Sequence, residues 1–408
     1  METFTAASHD DVLRLILQLA VLLFSARALG EVSRKLGQPA VVGEILAGVL
    51  LGPSLLSGLV PQIGQWILPQ SAVQGYLLET VSLIGVMLLM VVTGLETDLQ
   101  LIRRHAKTAL GVSLGGITVT FFTGFLLAWY LPAALIGPGT PRLIFALFVG
   151  TAMSISAIPV LAKVLMDLNL MRRDIGQTVI ASGMTDDTVG WILLSIVVAL
   201  ASGEISVRAV LLIVITVVAL LLLSLTLGRL VVRKVLDFVQ NHVPGSEAML
   251  TTVIVLAFGW AAVTQALHFE PVLGAFLCGI VLGQVRRLPH ETVRNLESIA
   301  SAIFTPIFFA VAGLKIDVRA LTDPSLLGFA FLVVLVASGG KYVGTYLGAR
   351  LIGGKDHWTA LAFGSGLNAR GAMEIIIATI GLSIGVLSRD MFTLILLMAV
   401  VIVFELFI

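Results

Sequence analysis

The spacing of apolar and polar positions shows neither the helical stripe nor the strand alternation of a water-soluble core. Apolar residues run on for about 20 positions or more at a time, enough to cross a hydrocarbon layer of about 30 Å. Polar and charged residues gather between these runs. Thirteen helical spans are predicted, at residues 11–30, 39–58, 77–97, 107–131, 142–166, 175–201, 207–232, 246–268, 271–288, 297–314, 325–352, 357–384 and 389–408. The fold class expected is therefore all-α: a polytopic membrane protein of about thirteen transmembrane helices.

Composition agrees with the pattern. Of 408 residues, 58% are hydrophobic and 12% charged, with a mean hydropathy of +1.06. Soluble domains carry about 25% charged residues. A net charge of +1 gives no footing for a nucleic-acid partner. The single cysteine, Cys278, lies inside an apolar run and reads as a small buried hydrophobe. The N-terminal stretch is polar and acidic, and no small-residue cleavage site follows span 1, which is read as retained.

Loop charges set the orientation. With the N-terminus outside, 16 Lys and Arg fall in cytoplasmic loops and 6 in outer ones, which places the C-terminus in the cytoplasm. Three of the 25 basic residues remain within spans: Arg27, near a span end, and Lys341 and Arg370, which are deeper.

The chain also carries an internal repeat. VGEILAGVLLGP (42–53) matches LGAFLCGIVLGQ (273–284), with Gly43, Gly48 and Gly52 aligned to Gly274, Gly279 and Gly283. VTGLETDLQLI (92–102) matches VAGLKIDVRAL (311–321), aligning Gly94 and Asp98 with Gly313 and Asp317. These pairs equate span 2 with span 9 and span 3 with span 10. An offset of seven spans is odd, so the halves have opposite topology. The first repeat is placed at 11–201, a linker helix at 202–245 and the second repeat at 246–408. Inverted repeats are a transporter architecture, with the substrate site near the midplane between the halves.

Spans 5 and 12 are equivalent, and both are interrupted. Span 5 carries Thr151, Ser154, Ser156 and Pro159; span 12 carries Gly364, Gly366, Asn368, Arg370 and Gly371. Proline lacks an amide donor and glycine is a poor helix former. Irregular backbone at membrane depth is tolerated where it is enclosed in protein or lines a cavity. The two breaks are therefore read as a crossing-helix site.

The charged residues inside the spans complete the reading. Asp186 and Asp187 sit about a dozen residues into span 6. Intramembrane acids face a partner or a watery cavity, and neighbours on a helix point about 100° apart. One carboxylate can thus line a cavity while the other meets an adjacent helix. Taken out of water, a carboxyl group can be loaded by a proton or by a cation, and that competition is the minimum an antiporter needs. Lys341, at mid-span 11, needs a counter-ion, for which an Asp of this pair is the candidate; a purely structural salt bridge stays open. Arg370 and Glu374 are four apart and can pair on one face, either to neutralise half-helix ends or to take part in ion binding. Glu44, at the start of span 2, is read as interfacial. The six His residues fall in loops or at span ends without metal-ligand spacing. No cofactor and no enzyme activity are expected: adjacent aspartates on one helix point apart, against an intramembrane aspartyl protease. A channel would leave the Asp pair and Lys341 without a purpose.

The segments GEILAGVLLGPS (43–54), VTGLETDL (92–99), TAMSISAIPVLAKVL (151–165), SGMTDDTVGW (182–191), FFAVAGLKID (308–317) and GLNARGAMEI (366–375) resemble the monovalent cation:proton antiporter superfamily, second branch. That branch holds bacterial sodium/proton and potassium/proton antiporters and plant cation/proton exchangers. The resemblance implies the sodium/proton antiporter fold and a homodimer, with a dimerisation part (11–97 and 207–314) and a mobile core (107–201 and 325–408) that exposes the Asp pair alternately. It implies Asp187 as the main Na+ (or K+) and H+ carrier and Asp186 as the partner of Lys341. A double Asp goes with electrogenic exchange in this superfamily, whereas TDDTVGW is nearer the plant-exchanger-like subgroup, which usually has Asn-Asp. The ion and the stoichiometry therefore stay open. The resemblance further implies a bacterial plasma membrane and a cytoplasmic regulatory domain following Ile408.

Overall fold

In a computed structural model, the described residues are 8–53, 55–56, 60–201, 207–243, 246–267, 269–285, 288–316, 319 and 324–405. Asp317 of the repeat, His268, Arg286, Arg287 and the C-terminal Phe407 and Ile408 lie outside them.

Each expected span contains a helix. In chain order these are α1 (His9–Lys35), α2 (Ala40–Leu51), α3 (Pro61–Ile67), α4 (Ala72–Leu95), α5 (Leu99–Tyr130), α6 (Arg142–Ser154), α7 (Ile158–Asp167), α8 (Asp174–Ala201), α9 (Val207–Leu223), α10 (Arg229–His242), α11 (Ser246–Ala266), α12 (Pro271–Val285), α13 (His290–Ile299), α14 (Thr305–Leu314), α15 (Pro324–Leu347), α16 (His357–Leu367), α17 (Ala372–Ser383) and α18 (Arg389–Glu405). Among the described residues, seven helical stretches are long and apolar enough to cross a membrane.

Span 2 differs from expectation. Its helix has 12 residues, because Gly52 leaves the helical conformation just before Pro53. At about 1.5 Å per residue it covers about 18 Å, short of the hydrocarbon thickness. The equivalent α12 is also short, at 15 residues. The short α3 was not expected. Pro61 opens it, a position where a missing amide costs a helix nothing.

The chain divides into two compact units. One comprises Met1–Val92, Phe238–Phe276 and Leu288–Arg319; the other comprises Thr93–Asp237, Leu277–Arg287 and Ala320–Ile408. This division differs from the expected dimerisation part and core chiefly at 207–237 and 277–287.

In the first unit, α1, α2 and α14 close on one another through small residues. Gly43 faces the Leu29 carbonyl, Gly48 the Ala310 carbonyl and Gly313 the Ile45 carbonyl, so closely that a Cβ at any of them would overlap backbone. Leu22, Ala26, Ala47, Leu51, Ile307 and Ala310 fill the core beside these contacts. Glu44, near the start of α2, is fully buried within the protein. Gly30, opposite its side chain, lets α1 approach α2 at that level.

In the second unit, α5 and α15 cross in backbone contact. Gly111 and Gly115 meet Gly348 and Gly344, and a Cβ on Gly115, Gly344 or Gly348 would overlap the partner's backbone. Small residues four apart are the usual device for close helix approach in lipid, where packing rather than hydrophobicity drives association. Asp98 caps α5, accepting from the amides of Gln100 (2.8 Å) and Leu101 (3.2 Å). The breaks fall as the sequence predicts: α6 ends at Ser154 and α7 starts at Ile158, while α16 ends at Leu367 and α17 starts at Ala372.

Candidate functional site: a charged cluster at two interrupted helices

The site lies wholly within the second unit. Breaking α6–α7 at residues 155–157 leaves carbonyls at the end of α6 in need of other donors, whereas at the end of α16 the Asn368 and Ala369 amides turn back onto the Gly364, Ser365 and Gly366 carbonyls. The two extended segments also bond to each other: the Ala157 amide donates to the Ala369 carbonyl at 2.9 Å. The Ser156 hydroxyl lies 2.8 Å from the Leu367 carbonyl.

Cations meet the end of α6. Lys341 Nζ donates to the Ser154 carbonyl at 2.7 Å, and Arg370 donates to the Ile155 carbonyl. Both are fully buried. Positive charge at a helix C-terminus is favourable, so each cation stabilises the broken end it meets. Lys341 reaches that point because Gly116, opposite its stem, lets α5 and α15 close.

Each cation also holds a carboxylate. Lys341 Nζ is 2.7 Å from Asp186 Oδ2, with both side chains fully buried. Asp186 takes two further donors: Ser156 Oγ to Oδ2 at 2.8 Å and Ser113 Oγ to Oδ1 at 2.5 Å. Arg370 is 3.6 Å from Glu374, again both fully buried. The other Glu374 oxygen accepts the Gly371 amide at 2.7 Å and so caps α17. Asn368, also buried, donates its amide to Ser338 Oγ at 3.2 Å, one turn before Lys341 on α15.

Where Asp186 is fully buried, Asp187 is half-buried, as the rotation between neighbours on a helix requires. Taken together, Asp186, Asp187 and Glu374 carry three negative charges when ionised, and Lys341 and Arg370 two positive ones.

Of the residues singled out in the sequence, Asp186, Lys341, Ser156 and the Ser154 carbonyl are brought together, and Arg370 and Glu374 form a second pair beside them. The hydroxyls of Thr151 and Ser154 instead bond within α6, to the Leu147 and Thr151 carbonyls. Ser113 was missed. It sits in the glycine-rich stretch GVSLGG of α5, where no charge, break or repeat marks it.

The chain matches the family described as sodium/hydrogen exchanger, transmembrane, over residues 19–407. It is 32% identical over 393 residues to the Na(+)/H(+) antiporter NhaS4 of Synechocystis, covering 96% of this chain and 95% of that one. It is 33% identical over 373 residues to K(+)/H(+) antiporter 1 of Saccharomyces cerevisiae, covering 89% of this chain but 42% of the yeast protein. The chain thus spans less than half the length of that relative. Its fold is similar to that of the sodium proton antiporter MjNhaP1 from Methanocaldococcus jannaschii, with a TM-score of 0.68 across 97% of this chain and 96% of that one, at 17% identity.

Proposed function

The chain belongs to the sodium/hydrogen exchanger family, and on that footing we propose how this integral membrane protein works: it exchanges Na+ or K+ for H+ at the Asp186–Asp187 pair by alternating access. The observation that carries the reading is the contrast within the pair: Asp186 is fully buried and held by Lys341, Ser113 and Ser156. Asp187, beside it on the same helix, is half-buried, so its carboxylate is the group of the pair that an entering ion can reach. A monovalent cation neutralises it, and so does a proton. Because an uncompensated charge is costly inside a membrane, the site crosses loaded with one or the other, and that exclusivity is exchange.

The roles follow from burial and bonding. Asp187 is the carrier. Asp186, held by Lys341, Ser113 and Ser156, is the fixed acid whose Oδ2 meets the cation when Lys341 retreats to the Ser154 carbonyl. Arg370 and Glu374 hold the two interrupted helices in register. We further propose that the protein is a homodimer whose dimerisation part is 11–97 and 207–314, that residues 107–201 and 325–408 form the moving core, and that the N-terminus is outside and the C-terminus cytoplasmic in a bacterial plasma membrane.

The test is dye-monitored exchange in proteoliposomes with sodium, potassium and lithium, with and without a potential clamp. Cation addition should drive proton movement in wild type and not in Asp187→Asn. Full exchange by that variant sinks the carrier assignment.

A further inference from the structure

The two oxygens of the Asp186 carboxylate are held in different ways. Oδ2 takes Lys341 and Ser156, and each of these donors also lies against a second acceptor: the Ser154 carbonyl for Lys341 and the Leu367 carbonyl for Ser156, at 2.7 and 2.8 Å. Either donor can leave Oδ2 without losing a partner. Oδ1 takes Ser113 Oγ at 2.5 Å, a short charge-assisted bond. Among the described residues that is the hydroxyl's one hydrogen bond. If Ser113 let go, its fully buried hydroxyl would have to fall back on its own helix, where the Ala109 carbonyl four residues before it already accepts Ser182 Oγ at 3.1 Å.

The backbone reinforces the asymmetry. Ser182 Oγ, one turn before Asp186 on α8, lies 3.1 Å from the Ala109 carbonyl, one turn before Ser113 on α5. The two helices therefore run side by side in the same direction over this stretch, joined by rungs at 109–182 and 113–186.

We propose that Ser113 is a positioning residue for exchange: it anchors Oδ1 of Asp186 so that Oδ2 alone changes partners when a cation arrives. The anchor stops the carboxylate rotating about its own axis, so Oδ2 is presented at one place as Lys341 leaves. This rests on the reading that the Asp186–Asp187 pair binds the cation. It predicts that losing the hydroxyl weakens cation capture more than it slows the loaded protein.

The experiment compares Ser113→Ala, Ser113→Thr and Ser182→Ala with wild type in proteoliposomes, measuring the KM for the transported cation and the maximal rate. Ser113→Ala should raise KM about tenfold, the scale of one hydrogen bond to a charged group, while the maximal rate stays within about a factor of two. Ser113→Thr, which keeps the hydroxyl, should restore KM. Ser182→Ala, which removes the rung that does not reach the carboxylate, should leave KM unchanged. Should the alanine variant be too unstable to purify, Ser113→Cys, nearly isosteric but a weak donor, should show the same rise. A KM for Ser113→Ala (or Cys) within about a factor of two of wild type overturns the proposal. So does a rise of the same size in Ser182→Ala, which would mark general loosening of α5 against α8. If Asp187→Asn abolishes exchange while the Ser113 variants behave as wild type, this inference alone fails; if Asp187→Asn exchanges fully, the functional reading fails with it.

Discussion

Asp186→Asn removes the charge that faces Lys341 while keeping the shape of the side chain and an oxygen for Ser113 or Ser156. Both members of the pair are fully buried at 2.7 Å, so the substitution takes the carboxylate charge away from an ammonium that also meets the Ser154 carbonyl. Breaking one side of a buried ion pair costs about 3–5 kcal/mol, much of it the cost of stranding the other charge. Lys341→Met should cost less, because Asp186 keeps two serine donors. Removing both charges at once strands nothing, so Asp186→Asn/Lys341→Met should be more stable than Asp186→Asn alone. The coupling between the two sites should be on the order of 2 kcal/mol or more. Equilibrium unfolding of the four proteins in mixed micelles measures it. The reasoning is refuted if Asp186→Asn unfolds with wild type, or if the double variant costs the sum of the singles.

Other substitutions probe the frame around the site. Glu374→Gln keeps an acceptor for the Gly371 amide but strands Arg370, whereas Glu374→Ala also removes the cap, worth about 1 kcal/mol; thermal unfolding should rank wild type above Gln and Gln above Ala. Gly344→Leu has no room, since even a Cβ there overlaps the Gly115 carbonyl; it should destabilise by more than about 3 kcal/mol, read as lost yield of folded protein, while a leucine at Gly339, where nothing crowds a Cβ, should be tolerated. At the start of α16, hydrogen bonds from the Thr359 side chain and amide hold the Asp356 carboxyl below its ordinary 3.8. A depressed folded value means the cap stabilises α16 above pH 3.8 and is lost as pH falls through the folded value. Asp356→Ala should therefore speed amide exchange around Thr359 near neutral pH, and the difference from wild type should shrink in acid.

The helices were legible because each is an apolar run, and both breaks because proline, glycine and polar residues interrupt such runs. The Lys341–Asp186 pair was legible because a mid-span ammonium has few anions to choose from. Legibility ended where identity is set by backbone approach. Span 2 was drawn too long because hydropathy continues past Leu51 although Gly52 and Pro53 end the helix. The burial of Glu44 could not be read from its place near a span end, since it comes from α1 and α2 closing around it at Gly30 and Gly43. Ser113 gave no signal: a serine in an apolar span usually bonds its own helix, as Thr151 and Ser154 do, and what distinguishes it is α8 lying alongside.

The central claim is that the Asp186–Asp187 pair is loaded by a cation or by a proton, never both. The measurement that tests it most directly is the apparent KM for the transported cation across a pH series in wild-type proteoliposomes. Competition predicts that KM climbs as pH falls, while saturating cation restores the same maximal rate. A KM that stays constant with pH, while the maximal rate alone changes, would mean that proton and cation occupy different sites.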